Sequence, residues 1–279
     1  MLLLFEGVIA LEFSGARAIK SASSVTKLEP ERKLMNYIVP APTDYSYDQA
    51  LEVLTQREDT DETYKFIVND KEAYPQRLLI NLANNPELIS FVADYQDKSE
   101  EAAAITSGDM KLTKTERESN CPLFLQWDPR WGYCAYGDDN LASSGCGPTA
   151  LSMVVVGLTH DEKATPLQIA EFATAQGYYV PEVGTGWNLM TEGAAHYGLT
   201  SDQISITEEG MKETLDQGGL LICSVKAGDF TTGGHFIVVC GYGDKGFVVN
   251  DPFCIYRSEQ NWKYDTLASQ MVAMWAVKK

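Results

Sequence analysis

Histidine is scarce in this chain: its 279 residues hold only three, His160, His196 and His235. None stands in a His-Glu-x-x-His motif, which argues against a zinc peptidase of that kind. The six cysteines are Cys121, Cys134, Cys146, Cys223, Cys240 and Cys254. They include no Cys-x-x-Cys pair, so the spacing of structural zinc sites is missing and no bound metal is expected. Six cysteines are also too few for a disulfide scaffold, and Cys223 and Cys240, inside apolar runs, are expected to be inert core residues. Positive charge is short as well. Lys and Arg number 22 against 39 Asp and Glu, a net charge of -17. The deficit falls on both halves, with 13 basic against 21 acidic residues in 1–120 and 9 against 18 in 121–279. Such a surface repels phosphate backbones and anionic lipid, which excludes nucleic acid as an expected partner.

Long apolar runs are absent too. The nearest, Met1 to Phe13, is too short to span a bilayer and is interrupted by Glu6 and Glu12. Ala16-Arg17-Ala18 resembles a signal-peptidase site, yet no basic residue precedes the apolar stretch. Residues 1–24 therefore read either as a degenerate export signal or as an ordinary apolar start. An export signal implies an extracellular or cell-surface protein, and its absence a cytoplasmic one.

What remains is an ordinary globular composition, 44% hydrophobic and 22% charged. Residues 25–97 read as helical. Leu78, Leu79, Leu82, Leu88, Phe91 and Val92 recur near helical spacing, and Asn85-Pro86 divides them between two helices. Residues 98–120 turn polar, with few large apolar side chains, and read as a linker. At Cys121 the character changes, and 121–279 reads as a second domain. One helix begins at Gly147-Pro148 with Leu151, Val154, Val155 and Leu158 on one face. Another spans about 166–176, with Thr165 as cap and Pro166 at the first helical position. Strand candidates follow at Leu220–Val225, His235–Cys240 and Phe247–Asn250. Helices followed by an antiparallel sheet make an α+β fold.

Three motifs carry chemistry. In Ser144-Gly145-Cys146-Gly147-Pro148-Thr149, a cysteine stands at a helix start. There, unpaired backbone N–H groups and the positive end of the helix dipole favour the thiolate, the form that attacks a carbonyl. Gly145 and Gly147 leave room for a substrate chain, and the alternative is a small buried cysteine at a tight turn. In Gly233-Gly234-His235-Phe236, His235 opens an apolar strand after a glycine pair that can expose it, suited to take up the proton of Cys146; the alternative is a capped core histidine. In Asn250-Asp251-Pro252, Asp251 ends the next strand. A hairpin turning near Gly243 sets Asp251 opposite His235, as an orienter of the imidazole, whereas a turn between Asp244 and Lys245 shifts the pair by three residues. Asn250 points to the other face, and the alternative for Asp251 is a plain Asp-Pro turn. Gln126 precedes the nucleophile and, with the backbone N–H of Cys146, can donate to an oxyanion; taken by itself, a surface glutamine is the plainer reading. Trp187 and the loop 228–234 can wall a substrate groove; a core tryptophan beside a capping Thr185 is the plainer reading. Tyr133, Tyr136, Tyr178 and Tyr179 add aromatic surface without an assignable role.

Four segments, Pro122 to Gly132, Ser144 to Ala150, Gly234-His235-Phe236 and Asn250-Asp251-Pro252, together resemble bacterial cysteine peptidases of the bacteriocin-leader-processing (double-glycine) peptidase-like group, which is papain-like in fold. The resemblance runs from about Cys121 to Trp275. It implies Cys146 as nucleophile, His235 as base, Asp251 as orienter and Gln126 as oxyanion donor; Gly145, Gly234 and Trp187 are expected near the substrate from the local sequence alone. It also implies a peptide or protein substrate and no cofactor. One departure stands out: Gln126 lies twenty positions before Cys146, where the transporter-linked members place it only a few residues away. No transporter segments accompany the domain, so leader processing is not carried over. The same dyad also serves cell-wall amide hydrolases and acyl transferases, and an inactive surface binding module keeps the fold without the reaction.

Overall fold

The computed structural model describes residues 38–181 and 183–279. The possible export signal at 1–24, and the helical reading of 25–37, lie outside them. Residues 38–46 form no helix, in keeping with Pro40 and Pro42, each of which removes a backbone donor. Helices then follow at Tyr47–Gln56, Glu62–Asn69, Gln76–Asn84, Ile89–Ala93 and Tyr95–Ala102. The first is opened by a reciprocal capping box between Ser46 and Gln49. Leu78, Leu79, Leu82, Leu88, Phe91 and Val92 are all buried, as their spacing predicts, and the chain breaks at Asn85-Pro86.

Residues 98–120 are not a free linker. The preceding helix runs on to Ala102, a short helix spans Lys114–Glu118, and Leu112 is buried. The polar side chains that suggested a solvated loop serve as caps and pairs. Thr113 and Glu116 form a capping box. The Ser107 N–H donates to Glu171 at 3.0 Å, Arg117 pairs with Glu162 at 2.9 Å, and Glu116 with Arg130 at 2.7 Å. Gly157 permits the closest approach here, since a Cβ on it would overlap the Asn120 carbonyl.

The remainder is mixed α+β. Six antiparallel strands lie in the order Thr200–Gln203, Met271–Lys278, Leu220–Val225, His235–Gly243, Gly246–Asn250, Asn261–Trp262. Side chains of a strand alternate between faces, and both faces are covered here. Leu220, Ile222, Phe236 and Val238 join one core with Val154 and Val155 of the helix Cys146–Thr159. Leu221, Cys223, Ile237 and Val239 join a second core with Met211, Leu267 and Met274.

The first core also takes in Leu54, Leu79 and Phe91 of the amino-terminal helices. Phe91 stacks on Tyr133 with ring centroids 3.9 Å apart, and the Tyr133 hydroxyl donates to the Phe91 carbonyl at 2.9 Å. Tyr133 and Tyr136 are buried, so neither adds to the aromatic surface expected of them. At about 1.5–3 kcal/mol for each large side chain fully buried, this seam binds the helical region to the sheet domain.

Cys240 is not a free core thiol: it forms a disulfide with Cys121. Apolar flanks hid this partnership, because they predict burial and say nothing of what the sulfur meets. Cys223 is a free buried thiol, with Cys134 and Cys254.

Candidate active site

Cys146 opens the helix Cys146–Thr159, after a short turn of helix at Leu141–Ser144 and the bend at Gly145. Pro148 falls in the first turn, where its missing N–H has no intrahelical partner to lose. Cys146 is partly exposed. A Cβ on Gly145 would overlap Leu141, and one on Gly147 would lie 2.6 Å from the Thr185 side chain. These two glycines admit the protein's own neighbours at the helix tip. Beside Gly234, by contrast, nothing lies within 4 Å of where a Cβ would stand, so the approach to His235 is open there.

His235 opens its strand and is 8% exposed, while Asp251 is fully buried. The His235 Nε2 donates to Asp251 Oδ1 at 2.7 Å. This leaves Nδ1 for a second partner, and the charges of His235 and Cys146 act on one another. Burial acts against the charged form of each partner, and the contacts more than offset it. For Cys146, burial raises the pKa, but the hydrogen bond and charge of His235 and the N–H groups of Phe236 and Gly147 bring it below its ordinary value. For His235, burial lowers the pKa, but Asp251 and then Cys146 push it up to about 10. Both shifts favour a thiolate beside an imidazolium.

The hairpin that joins His235 to Asp251 turns at Asp244-Lys245, with Gly243 facing Gly246. Direct cross-strand pairing of the two is therefore not what the register provides. A bulge at Cys240 recovers one of the three residues of offset, and the last rung pairs Val238 with Asn250. One further rung would set Asp251 against Ile237, so Asp251 reaches His235 along the diagonal.

Asp251 has a dense setting. Its Oδ1 also accepts from the Phe253 N–H at 2.8 Å, and Oδ2 lies 3.7 Å from the buried Arg257 guanidinium. Its own N–H donates to the Ser258 hydroxyl at 2.8 Å. Asn250 points elsewhere, donating to the Pro122 carbonyl at 3.0 Å.

Gln126 is buried and ties the two halves of the site together. Its backbone N–H donates to the Pro252 carbonyl at 2.8 Å, and its side-chain Nε2 donates to the Ala142 carbonyl at 2.7 Å, four residues before the nucleophile. That contact fixes the orientation of the amide, since the reverse would press oxygen against oxygen. Oε1 has no partner among the described residues, and one Nε2 hydrogen is left to donate.

Sequence reasoning missed Tyr136, Arg257 and the Asn85–Glu87 turn. The Tyr136 hydroxyl shares a hydrogen bond with Thr185 Oγ1 at 2.8 Å and feels the charge of Cys146; burial first, then that charge, raise its pKa. Nothing in the local sequence of Tyr136 distinguishes it from its neighbours. Trp187 is 45% exposed and packs edge-on against Trp275 at 5.5 Å. It follows the two-stranded ribbon of Tyr179–Val180 and Gly184–Thr185, whose Thr185 lies against the helix tip. Among the described residues no three His, Cys, Asp or Glu side chains are grouped to hold a metal ion. Nor is any helix among them long and apolar enough to cross a membrane.

A thiol at a helix tip, an imidazole from the adjoining sheet and a buried carboxylate behind it define the papain-like class of site. The model of the Peptidase_C39 like family matches residues 118–279, more than half of the chain, and the chain belongs to that family. No curated protein and no solved structure matches it.

Proposed function

We propose that this protein is a cysteine peptidase, with Cys146 as nucleophile, His235 as acid–base and Asp251 as the group that orients His235. The observation that carries this reading is the 2.7 Å bond from His235 Nε2 to the buried Asp251, with the charge of His235 acting on the Cys146 sulfur at the helix tip. The thiolate attacks a peptide carbonyl and forms the S–C bond. The oxyanion is met by the backbone N–H of Cys146 and the remaining N–H of the Gln126 amide. As the C–N bond breaks, imidazolium His235 gives its proton to the leaving amine. Neutral His235 then takes a proton from water, which attacks the thioester and frees Cys146.

Val180, Val183 and Trp187 are exposed apolar side chains in or beside the ribbon that packs on the nucleophile helix. They support a subsite for an apolar substrate side chain, and the open ground over Gly234 supports passage of the substrate backbone. The Cys121–Cys240 disulfide supports residence in an oxidising compartment, at the cell surface or outside the cell. The test of the reaction is Cys146→Ala. It is expected to abolish peptide hydrolysis and labelling by a thiol-directed inhibitor while the thermal midpoint holds. Retained turnover in that variant ends the proposal.

A further inference from the structure

The turn after Asp251 is held from outside the matched family domain. The Phe253 carbonyl accepts from two donors, Asn85 Nδ2 at 2.7 Å and, from within the family domain, the half-buried Trp127 Nε1 at 2.8 Å. Two residues further on, the Glu87 carboxylate accepts from the N–H groups of Ile255 and Tyr256, at 2.7 and 2.8 Å. Asn85 and Glu87 brace one another: the Glu87 N–H donates to Asn85 Oδ1 at 3.1 Å, and Asn85 Nδ2 lies 3.4 Å from Glu87 Oε2. Asn85 is fully buried. Of its donors and acceptors, then, this one turn of the helical region spends three on residues 253–256. The first of these, Phe253, gives its own N–H to the Oδ1 that binds His235.

We infer that Asn85 and Glu87 are positioning residues for catalysis. By clamping the backbone of residues 253–256 they fix where the Asp251 carboxylate sits against His235, and so help maintain the thiolate of Cys146. The inference rests on the dyad proposed above and gives the amino-terminal helices a catalytic task. A half-buried carboxylate facing two backbone donors has a desolvation cost that those bonds must offset. A merely structural junction is made more simply by apolar contacts such as Phe91 on Tyr133. The clamp restrains the one carboxylate that orients the imidazole, and small displacements of such groups cost rate steeply.

The test uses the full chain with Glu87→Gln, which keeps the shape and surrenders one acceptor, and with Asn85→Ala. Two readouts are taken: the pH profile of Cys146 alkylation by iodoacetamide, and kcat and KM on one peptide. Both variants are expected to move the alkylation midpoint to higher pH. They are also expected to lower kcat by about tenfold to a hundredfold with KM little changed. Added to Asp251→Asn, Glu87→Gln is expected to shift the midpoint no further, because it acts through that carboxylate. An unmoved midpoint, or a full additional shift on top of Asp251→Asn, overturns the inference. Partial unfolding exposes the buried free thiols and adds labelling in the ordinary thiol range, which leaves the midpoint of the folded fraction readable. A wild-type thiol that titrates in its ordinary range takes down the dyad as well, whereas a depressed wild-type midpoint shared by the variants removes only the clamp.

Discussion

Asp251 holds His235 on the diagonal: the 2.7 Å bond from Nε2 to Oδ1 joins two residues that the hairpin register does not set opposite one another. The carboxylate makes up the offset because the strand ends at Asn250 and the chain turns at once through Pro252. Asp251→Asn keeps the shape and can keep an acceptor, but gives up the charge that sustains the imidazolium. It is expected to lower kcat by about a hundredfold or more, with a smaller effect on KM. Steady-state kinetics on a single peptide substrate check this, and an unchanged kcat contradicts the assigned role.

The diagonal contact marks how much of the site was legible in the sequence. Cys146, His235 and Asp251 stood out because each sits where local rules place functional groups: a helix tip, a strand mouth and a strand end. Their register was not legible, because one bulge at Cys240 moves every later pair by a residue and bulges leave no firm mark in a single sequence. The buried Leu and Phe pattern of residues 78–92 was readable for the same reason in reverse, since periodicity repeats itself. The polar stretch 98–120 misled because capping and ion-paired side chains have the composition of a loop. Tyr136, Arg257, Asn85 and Glu87 depend on contacts across long stretches of chain, which no local pattern encodes.

The disulfide pins the start of the family domain, at Cys121, to the bulge in the strand that carries His235. Closing so long a loop constrains the unfolded chain strongly, so replacing both cysteines by alanine is expected to cost about 2–4 kcal/mol of stability. Denaturant unfolding of the oxidised wild type and of the Cys121→Ala/Cys240→Ala variant measures the difference. Equal midpoints contradict it.

Trp187 gives the subsite a handle. It is half-exposed yet ordered against Trp275, a rigid apolar surface that an aliphatic or aromatic substrate side chain can cover. Trp187→Ala is expected to raise KM about five- to tenfold for peptides bearing such a residue, and to leave kcat within about twofold, since the contact contributes about equally to ground and transition states. A peptide series varied one position at a time locates the residue concerned. A fall in kcat at constant KM argues against a binding role.

The central claim is that His235 makes the Cys146 sulfur anionic, and the pH dependence of Cys146 alkylation reads it most directly. In the wild type, thiolate is expected below the ordinary thiol range near 9.0, and the ion pair persists until His235 gives up its proton at about 10. In His235→Ala the burial remains and the largest of the contacts that offset it is gone, so the midpoint of alkylation is expected to rise. A wild-type midpoint at or above the ordinary range, or one that His235→Ala leaves in place, contradicts the account.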